Sequence, residues 1–197
     1  MVFESIIELW QNADGVIRGC ALLLFVMSVL AWTVILGRAW HYGRFSRQYL
    51  RPQGTMPASI QRAQAFQGNA EQRHLALQTA VDEEGLRLGG GLVIPAVVGS
   101  TAPFVGLLGT VWGIYLTMVK LGSQERLLTI ADVAGPVGET LIMTALGLAV
   151  AIPAVIGYNL LEKWRQRLVS QLAIRVNRWL VEETYQSGHD ETQEIHA

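Results

Sequence analysis

The stretch Thr101-Ala-Pro-Phe-Val-Gly-Leu-Leu-Gly-Thr-Val-Trp-Gly-Ile-Tyr115 decides the fold of this chain. It is apolar, rich in glycine and free of charge, and with its flanks it is long enough to cross a bilayer, which takes about 20 helical residues. A second long apolar stretch carries one acid, Glu139. It is Gly138-Glu-Thr-Leu-Ile-Met-Thr-Ala-Leu-Gly-Leu-Ala-Val-Ala-Ile-Pro-Ala-Val-Ile-Gly-Tyr-Asn159. The two stretches predict a pair of transmembrane helices that the rest of the chain holds in register.

The composition also indicates an integral membrane protein. Of 197 residues, 51% are hydrophobic and only 16% are charged, whereas soluble domains carry about 25% charged residues. With a net charge of -1, the chain lacks the excess of Lys and Arg that is typical of nucleic-acid-binding proteins, so no nucleic-acid partner is predicted. Cys20 is the only cysteine, which excludes an internal disulfide and predicts a buried, inert thiol. The first fifteen residues contain no Lys or Arg, so we expect no cleavable signal peptide.

Uncharged runs and their basic flanks predict the topology. Arginines crowd residues 38–51, and five basic residues lie between 163 and 178, so the positive-inside rule makes both segments cytoplasmic and the N-terminus periplasmic. We therefore expect an all-α integral membrane protein with three transmembrane helices and long cytoplasmic helical extensions. The predicted segments are a periplasmic amphipathic lead-in at 1–15, transmembrane helices at 16–37, 92–121 and 133–161, a cytoplasmic helical loop at 38–91, a short periplasmic connector at 122–132, and a cytoplasmic C-terminal helix with an acidic tail at 162–197.

Glu139 is the first candidate for function, because an acid inside a membrane helix is costly and is by default a functional-site hypothesis. The uncharged run 140–161 could cross the bilayer by itself and leave Glu139 solvated at the outer interface. The run from Val133 is longer than one span needs, which would allow Glu139 to lie inside the membrane and exchange a proton. Both alternatives remain open from the residues alone.

Thr110 and Thr144 are the second candidates, although a threonine in a membrane helix usually bonds its own backbone or a neighbouring helix. Glu139 and Thr144 are five residues apart, about 140° around a helix and about 7.5 Å along it. The two side chains do not lie on one face of the helix. In an assembly of several copies of the chain around an axis, however, they could line one lumen at different depths. We therefore predict a polar pathway of Thr110, Thr144 and Glu139.

Small residues in both stretches predict close helix packing. The spacing Gly109-x-x-x-Gly113 allows helices to approach closely in lipid. This surface predicts a homo-oligomer or a membrane partner. The predicted packing residues are Gly106, Gly109, Gly113, Ala145, Gly147 and Ala149. The scattered histidines, the missing phosphate-binding loop and the missing nucleophile–base arrangement predict no metal, no cofactor and no enzyme.

The two quoted stretches resemble the second- and third-span signatures of the ExbB/TolQ/MotA proton-channel family, and they are most similar to its ExbB branch. The resemblance implies a homopentamer in the bacterial inner membrane, with a dimer of a single-span ExbD-like partner in its pore. Proton flow along the partner's aspartate is expected to drive a motion that a TonB-like protein passes to outer-membrane receptors for siderophores and vitamin B12. In this pattern Thr110 and Thr144 match the pore threonines, and Glu139 matches the third-span glutamate.

The sequence departs from the family pattern just before the glutamate. The family usually has Pro-Gly-x-Ala there and Ala after it, whereas this chain has Gly135-Pro-Val-Gly138 and then Thr140. We therefore expect a differently shaped helix start, which affects the depth of Glu139. The alternative functions are a TolQ-type subunit of the Tol-Pal system and a non-conducting membrane scaffold.

Overall fold

The computed structural model describes residues 14–49, 55–122 and 130–195, and within them it leaves out the side chains of Ala70, 130–132, Glu139 and 184–195. Most of the predicted lead-in and connector, and the side chains of the acidic tail from residue 184 onward, lie outside the described residues. In the described ranges the chain forms five helices. They are α1 (Gly15–Tyr49), α2 (Ala58–Gln64), α3 (Ala70–Gly89), α4 (Val93–Gly122) and α5 (Ile130–Ile195).

Three of these helices are long and apolar enough to cross a membrane: α1, α4 and the part of α5 from Val133 to Glu183. The predicted all-α membrane fold with three spanning helices is therefore confirmed. Both α1 and α5 continue without a break beyond the predicted ends of their spans at Gly37 and Leu161. The residues that follow contain no proline and place apolar side chains at helical spacing, which favours continuation of the helix.

The chain divides into two compact units. One comprises Met1–Leu36 and Leu92–Asn159, and we call it the span unit. The other comprises Gly37–Gly91 and Leu160–Ala197, and we call it the extension unit. The break between α3 and α4 includes Gly91, whose φ of 80° lies in the left-handed region that a side chain disfavours.

The span unit has a core of mostly small and medium side chains from three helices. Lipid tails are as apolar as leucine, so helices in a membrane associate through close packing rather than through exclusion from water. Small residues suit this because they bring the helix backbones together. The buried cluster consists of Cys20, Leu24 and Ala31 from α1, Val98 and Ala102 from α4, and Met143, Ala151 and Ala154 from α5.

The extension unit has a core of large side chains. Its fully buried members include Tyr42 of α1, Ile60 of α2, and Leu77 and Leu88 of α3. A capping box begins α3, because the Asn69 side chain accepts from the backbone N–H of Gln72 and the Gln72 side chain accepts in return. The α5 side chains that complete this core recur at helical spacing, and they are Leu161, Leu168, Leu172 and Val176.

Candidate functional site: a threonine pair where α4 meets α5

Backbone-to-backbone contact between two glycines sets the distance between α4 and α5. A Cβ atom built on Gly106 would lie 2.7 Å from the carbonyl oxygen of Met143 and 3.1 Å from the Cα of Gly147. A Cβ atom on Gly147 would lie 2.8 Å from the carbonyl oxygen of Ala102. These neighbours are backbone atoms that cannot move aside by changing rotamer. Any side chain at Gly106 or Gly147 would therefore push the two helices apart.

One turn beyond Gly106, the close approach brings Thr110 and Thr144 together. Their Oγ1 atoms lie 3.1 Å apart, which is a hydrogen bond between α4 and α5. The Thr110 hydroxyl also lies 2.7 Å from the carbonyl oxygen of Leu107. Thr110 is buried and Thr144 is half-buried. The structure therefore joins two of the three predicted pathway residues in one polar contact between α4 and α5.

A hydroxyl can donate one hydrogen bond and accept two. When the Thr110 proton points to the Leu107 carbonyl, 2.7 Å away, Thr144 is the donor in the pair. If the Thr110 proton turns instead towards Thr144, the direction of the pair reverses. The geometry thus allows two proton arrangements with little movement of heavy atoms.

The side chain of Glu139 lies outside the described residues, so its relation to the threonine pair stays a prediction. Its backbone is part of α5, and the next residue, Thr140, is buried and donates from its hydroxyl to the carbonyl oxygen of Val137. Thr140 also packs closely against Gly113. The helix is therefore continuous and packed at this level.

The predicted packing residues fall into two groups. Gly109 and Gly113 face α5 within the same chain, where they contact Met143 and Thr140 respectively. Ala145 and Ala149, by contrast, are exposed on α5. The glycines therefore serve contacts inside the chain, and the two alanines remain available to a neighbour.

One polar contact of α4, made two residues after Thr110, was not predicted from the sequence. The indole N–H of Trp112 donates to Oδ2 of Asp14, at 2.9 Å, and so links α4 to the residue that precedes α1. This hydrogen bond lowers the pKa of the exposed Asp14 carboxyl below its usual value. Because the folded-state pKa is lowered, the stabilisation is present above the ordinary pKa of an aspartate and is lost as pH falls through the folded value. The available signal was the indole N–H, which needs an acceptor when it lies in an apolar segment.

Among the residues with described side chains, no three His, Cys, Asp or Glu residues come close enough together to hold a metal ion. The polar groups at the α4–α5 contact are neutral hydroxyls, which suit a hydrogen-bonded path better than metal ligation. The site therefore offers proton-donating and proton-accepting groups in a membrane-spanning helix pair.

Comparisons with known proteins converge on one family. Its sequence profile, described as the MotA/TolQ/ExbB proton channel family, matches residues 50–174, more than half of the chain. A biopolymer transport protein ExbB from Xanthomonas campestris is 52% identical over 96 residues, which are 49% of this chain and 38% of that protein.

Two further relatives carry names that belong to the same family. A Tol-Pal system protein TolQ from Pseudomonas aeruginosa is 43% identical over 96 residues, covering 49% of this chain and 41% of that protein. An ExbB from Salmonella typhimurium is 28% identical over 191 residues, covering 81% of this chain and 78% of that protein. The matches of higher identity thus cover well under half of the relatives' lengths. With three membrane-spanning helices and this extent of match, the chain is a multi-pass membrane protein that belongs to the MotA/TolQ/ExbB proton channel family.

Proposed function

We propose that this chain is the channel and stator subunit of an ExbB-type motor, which uses the proton-motive force to energise transport across the outer membrane. The observation that carries the proposal is the Thr110–Thr144 hydrogen bond, held at 3.1 Å by the contact of Gly106 with Gly147. Membership of a proton channel family supports a role for this polar pair in proton movement.

In the proposed mechanism the threonine pair forms part of the wall along which a proton moves. With two arrangements of its hydroxyl protons, the pair can accept a hydrogen bond from a proton donor on one side and donate one to an acceptor on the other. Burial of Thr110 keeps competing water away from its hydroxyl. Glu139, five residues before Thr144 on α5, is proposed as a proton-exchanging group of the same path.

The proposed assembly follows from the family resemblance. Copies of this chain form a homopentamer in the inner membrane of a Gram-negative bacterium, with the N-terminus periplasmic and the C-terminus cytoplasmic. An ExbD-like single-span subunit occupies the central pore, and a TonB-like protein receives the motion. The exposed small residues Ala145 and Ala149 support a close neighbour on that face of α5.

A TolQ-type role in the Tol-Pal system is the second candidate. It is favoured by the 43% identity to a TolQ over 96 residues, although the ExbB of Xanthomonas campestris is 52% identical over a stretch of the same length. A non-conducting membrane scaffold is the third candidate, and in that role the threonine hydroxyls would be dispensable.

Growth on a siderophore-bound iron source tests the proposal. A strain that lacks its own copy of this gene would carry the wild-type chain, Thr144→Val or Thr110→Val at matched membrane levels. We expect wild type to rescue growth and each valine variant to fail, because valine has the shape of threonine without its hydroxyl. Thr33→Val is the matched control, since the Thr33 hydroxyl bonds only to the Val29 carbonyl of its own helix among the described residues.

Each other outcome favours a different function. Rescue by all variants would favour the scaffold. Failure of the wild-type chain, together with rescue of the detergent sensitivity of a strain lacking TolQ, would favour the Tol-Pal role. Glu139→Ala in the same growth assay separates the two alternatives for the acid. Lost rescue supports a role in the proton path, and retained rescue supports a solvated side chain at the interface.

A further inference from the structure

An exposed aromatic–cation pair follows the first membrane-spanning segment. Trp40 of α1 is 68% exposed although its side chain is large and apolar. The guanidinium of Arg44 lies over its ring, 4.9 Å from the centroid. One turn further, Arg47 is also exposed. The spacing of residues 40, 44 and 47 places all three side chains on one face of the helix.

Arg44 and Arg47 differ from most other arginines of the extension unit in having no hydrogen bond or ion pair to any described residue. Several other arginines in this unit have a defined polar partner. Arg73 pairs with Glu183, Arg87 with Glu83, and Arg165 with Glu162. Arg38 donates to the carbonyl oxygen of Arg87, and Arg175 to that of Tyr49.

The local sequence offers these two cations no acid either, because α1 contains no Asp or Glu from Gly15 to Tyr49. Taking the predicted end of the span at Gly37, Trp40 lies about 5 Å and Arg44 about 10 Å further along the helix. The lipid headgroups begin at this depth. Tryptophan is enriched there because its ring is apolar and its N–H is polar, and arginine side chains can reach back to the same level.

We propose that Trp40, Arg44 and Arg47 form a binding site for the headgroup of an anionic phospholipid in the leaflet at this end of α1. The Arg44 fork donates to the lipid phosphate while the Trp40 ring holds the guanidinium in place and itself lies among the glycerol backbones. Arg47 supplies the second positive charge. The site gives this face of α1 a preference for phosphatidylglycerol over phosphatidylcholine.

The exposed indole favours a lipid over the other anions that two arginines could bind. A free phosphate ion or an acidic peptide would use the guanidinium groups but would leave the Trp40 ring in water. A lipid satisfies both, because the phosphate contacts the cations and the interface accommodates the ring. The site is distinct from the threonine pair, so its test does not depend on the proposed proton path.

Lipid binding to the full-length chain, purified in a neutral detergent, tests the inference by native mass spectrometry. The probes are phosphatidylglycerol and phosphatidylcholine with the same acyl chains. We expect wild type to bind phosphatidylglycerol more tightly, Arg44→Gln and Arg47→Gln each to weaken that binding about fivefold, and the double variant to abolish the preference. Trp40→Leu should weaken it about two- to fivefold, because it removes the ring under the cation.

Arg62→Gln is the matched control, because Arg62 is an exposed arginine of the same unit whose described hydrogen bond goes to its own helix. Arg44→Lys keeps the charge but loses the guanidinium fork, so it should retain more of the preference than Arg44→Gln does, which shows that the loss in Arg44→Gln is one of charge and not of folding.

Four results would overturn the inference. They are equal binding of the two lipids by wild type, an unchanged preference in the double variant, displacement of the lipid by millimolar inorganic phosphate or by an oligoglutamate peptide, and a change of oligomer size in Arg44→Gln with no change in lipid binding. The last result would assign this face to a second copy of the chain.

Discussion

The span unit and the extension unit hold their helices together in opposite ways. In the span unit, backbones touch at Gly106 and Gly147, and the side-chain hydrogen bonds include the threonine pair between α4 and α5 and the contact of Trp112 with Asp14. In the extension unit, large side chains such as Leu168 and Leu172 fill the space between helices. Arginine and tyrosine side chains there also bond to backbone carbonyls of neighbouring helices.

The difference is the one expected if the span unit lies in lipid and the extension unit in water, as the sequence predicts. Water drives large apolar side chains together, and it leaves exposed polar groups solvated. Lipid provides no such drive, so stability there depends on close contact of small residues and on a few satisfied polar pairs. The four predictions below test this contrast, beginning with the largest expected effect.

Truncating a buried leucine should cost more in the extension unit than in the span unit. Leu172 is fully buried and Leu24 is 3% exposed. We expect Leu172→Ala to lower the free energy of local unfolding by about 2–5 kcal/mol. Leu24→Ala should fall at or below the lower end of that range, because its methyl groups remain in an apolar medium when the helices separate. Hydrogen exchange followed by mass spectrometry measures each unit separately, and equal losses would contradict the contrast.

Adding one methyl group should damage the span unit at Gly106. Gly106→Ala places a Cβ against the Met143 carbonyl, so we expect a loss of about 1–3 kcal/mol and a lower midpoint of thermal unfolding in detergent. Gly19→Ala is the control, since a Cβ there has no described neighbour within 4 Å. If both variants unfolded at the wild-type temperature, the backbone contact would not determine the packing.

Removing one hydroxyl should measurably weaken the extension unit. The Tyr42 hydroxyl donates to the carbonyl oxygen of Leu88 at 2.6 Å, and the bond is buried. Tyr42→Phe leaves that carbonyl without its partner, so we expect a loss of about 1–2 kcal/mol in the hydrogen-exchange stability of α3. Tyr49→Phe is the control, because its hydroxyl has no hydrogen bond to a described residue. Equal effects would show that the Leu88 carbonyl finds another donor.

The smallest effect is expected at an exposed ion pair. Arg87 and Glu83 approach to 2.7 Å, but both side chains are about half exposed. We expect Glu83→Gln to lower the free energy of unfolding by about 0.3–0.5 kcal/mol in low salt. In 0.5 M NaCl, where the Debye screening length is about 4 Å, we expect no measurable loss. A salt-independent loss above about 1 kcal/mol would show that this pair contributes more than a typical surface contact.

The membrane fold could be predicted from sequence because each spanning helix is a long run of residues that is almost free of charge. The runs 16–37, 92–121 and 133–161 each overlap one of the three helices that are long and apolar enough to span. Apolar side chains at helical spacing predicted a helix after Leu161, where α5 continues. The continuation of α1 to Tyr49 was harder to predict, because a helix that leaves the membrane loses its uniform apolar pattern. The pairing of Arg73 with Glu183 joins residues 110 positions apart, and no local pattern indicates such a contact.

The candidate site was predictable in its residues but not in its geometry. Thr110 and Thr144 stand out as hydroxyls in apolar runs, and the glycines stand out by their spacing. Helical spacing cannot show that Gly106 opposes Gly147, because the offset between two helices depends on how both surfaces fit. The Trp112–Asp14 hydrogen bond was missed for the same reason, since it joins residues 98 positions apart.

The sequence by itself determined the number of helices that can span a membrane, the candidate polar residues within them, and the family, because these depend on composition and on local order. Only the tertiary structure decided that the glycines of α4 pack on α5 within one chain and that two threonine hydroxyls meet at 3.1 Å. The physical reason is that close packing in lipid is a property of two fitted surfaces. A helical period records which face a residue occupies, but it does not record which residue lies opposite.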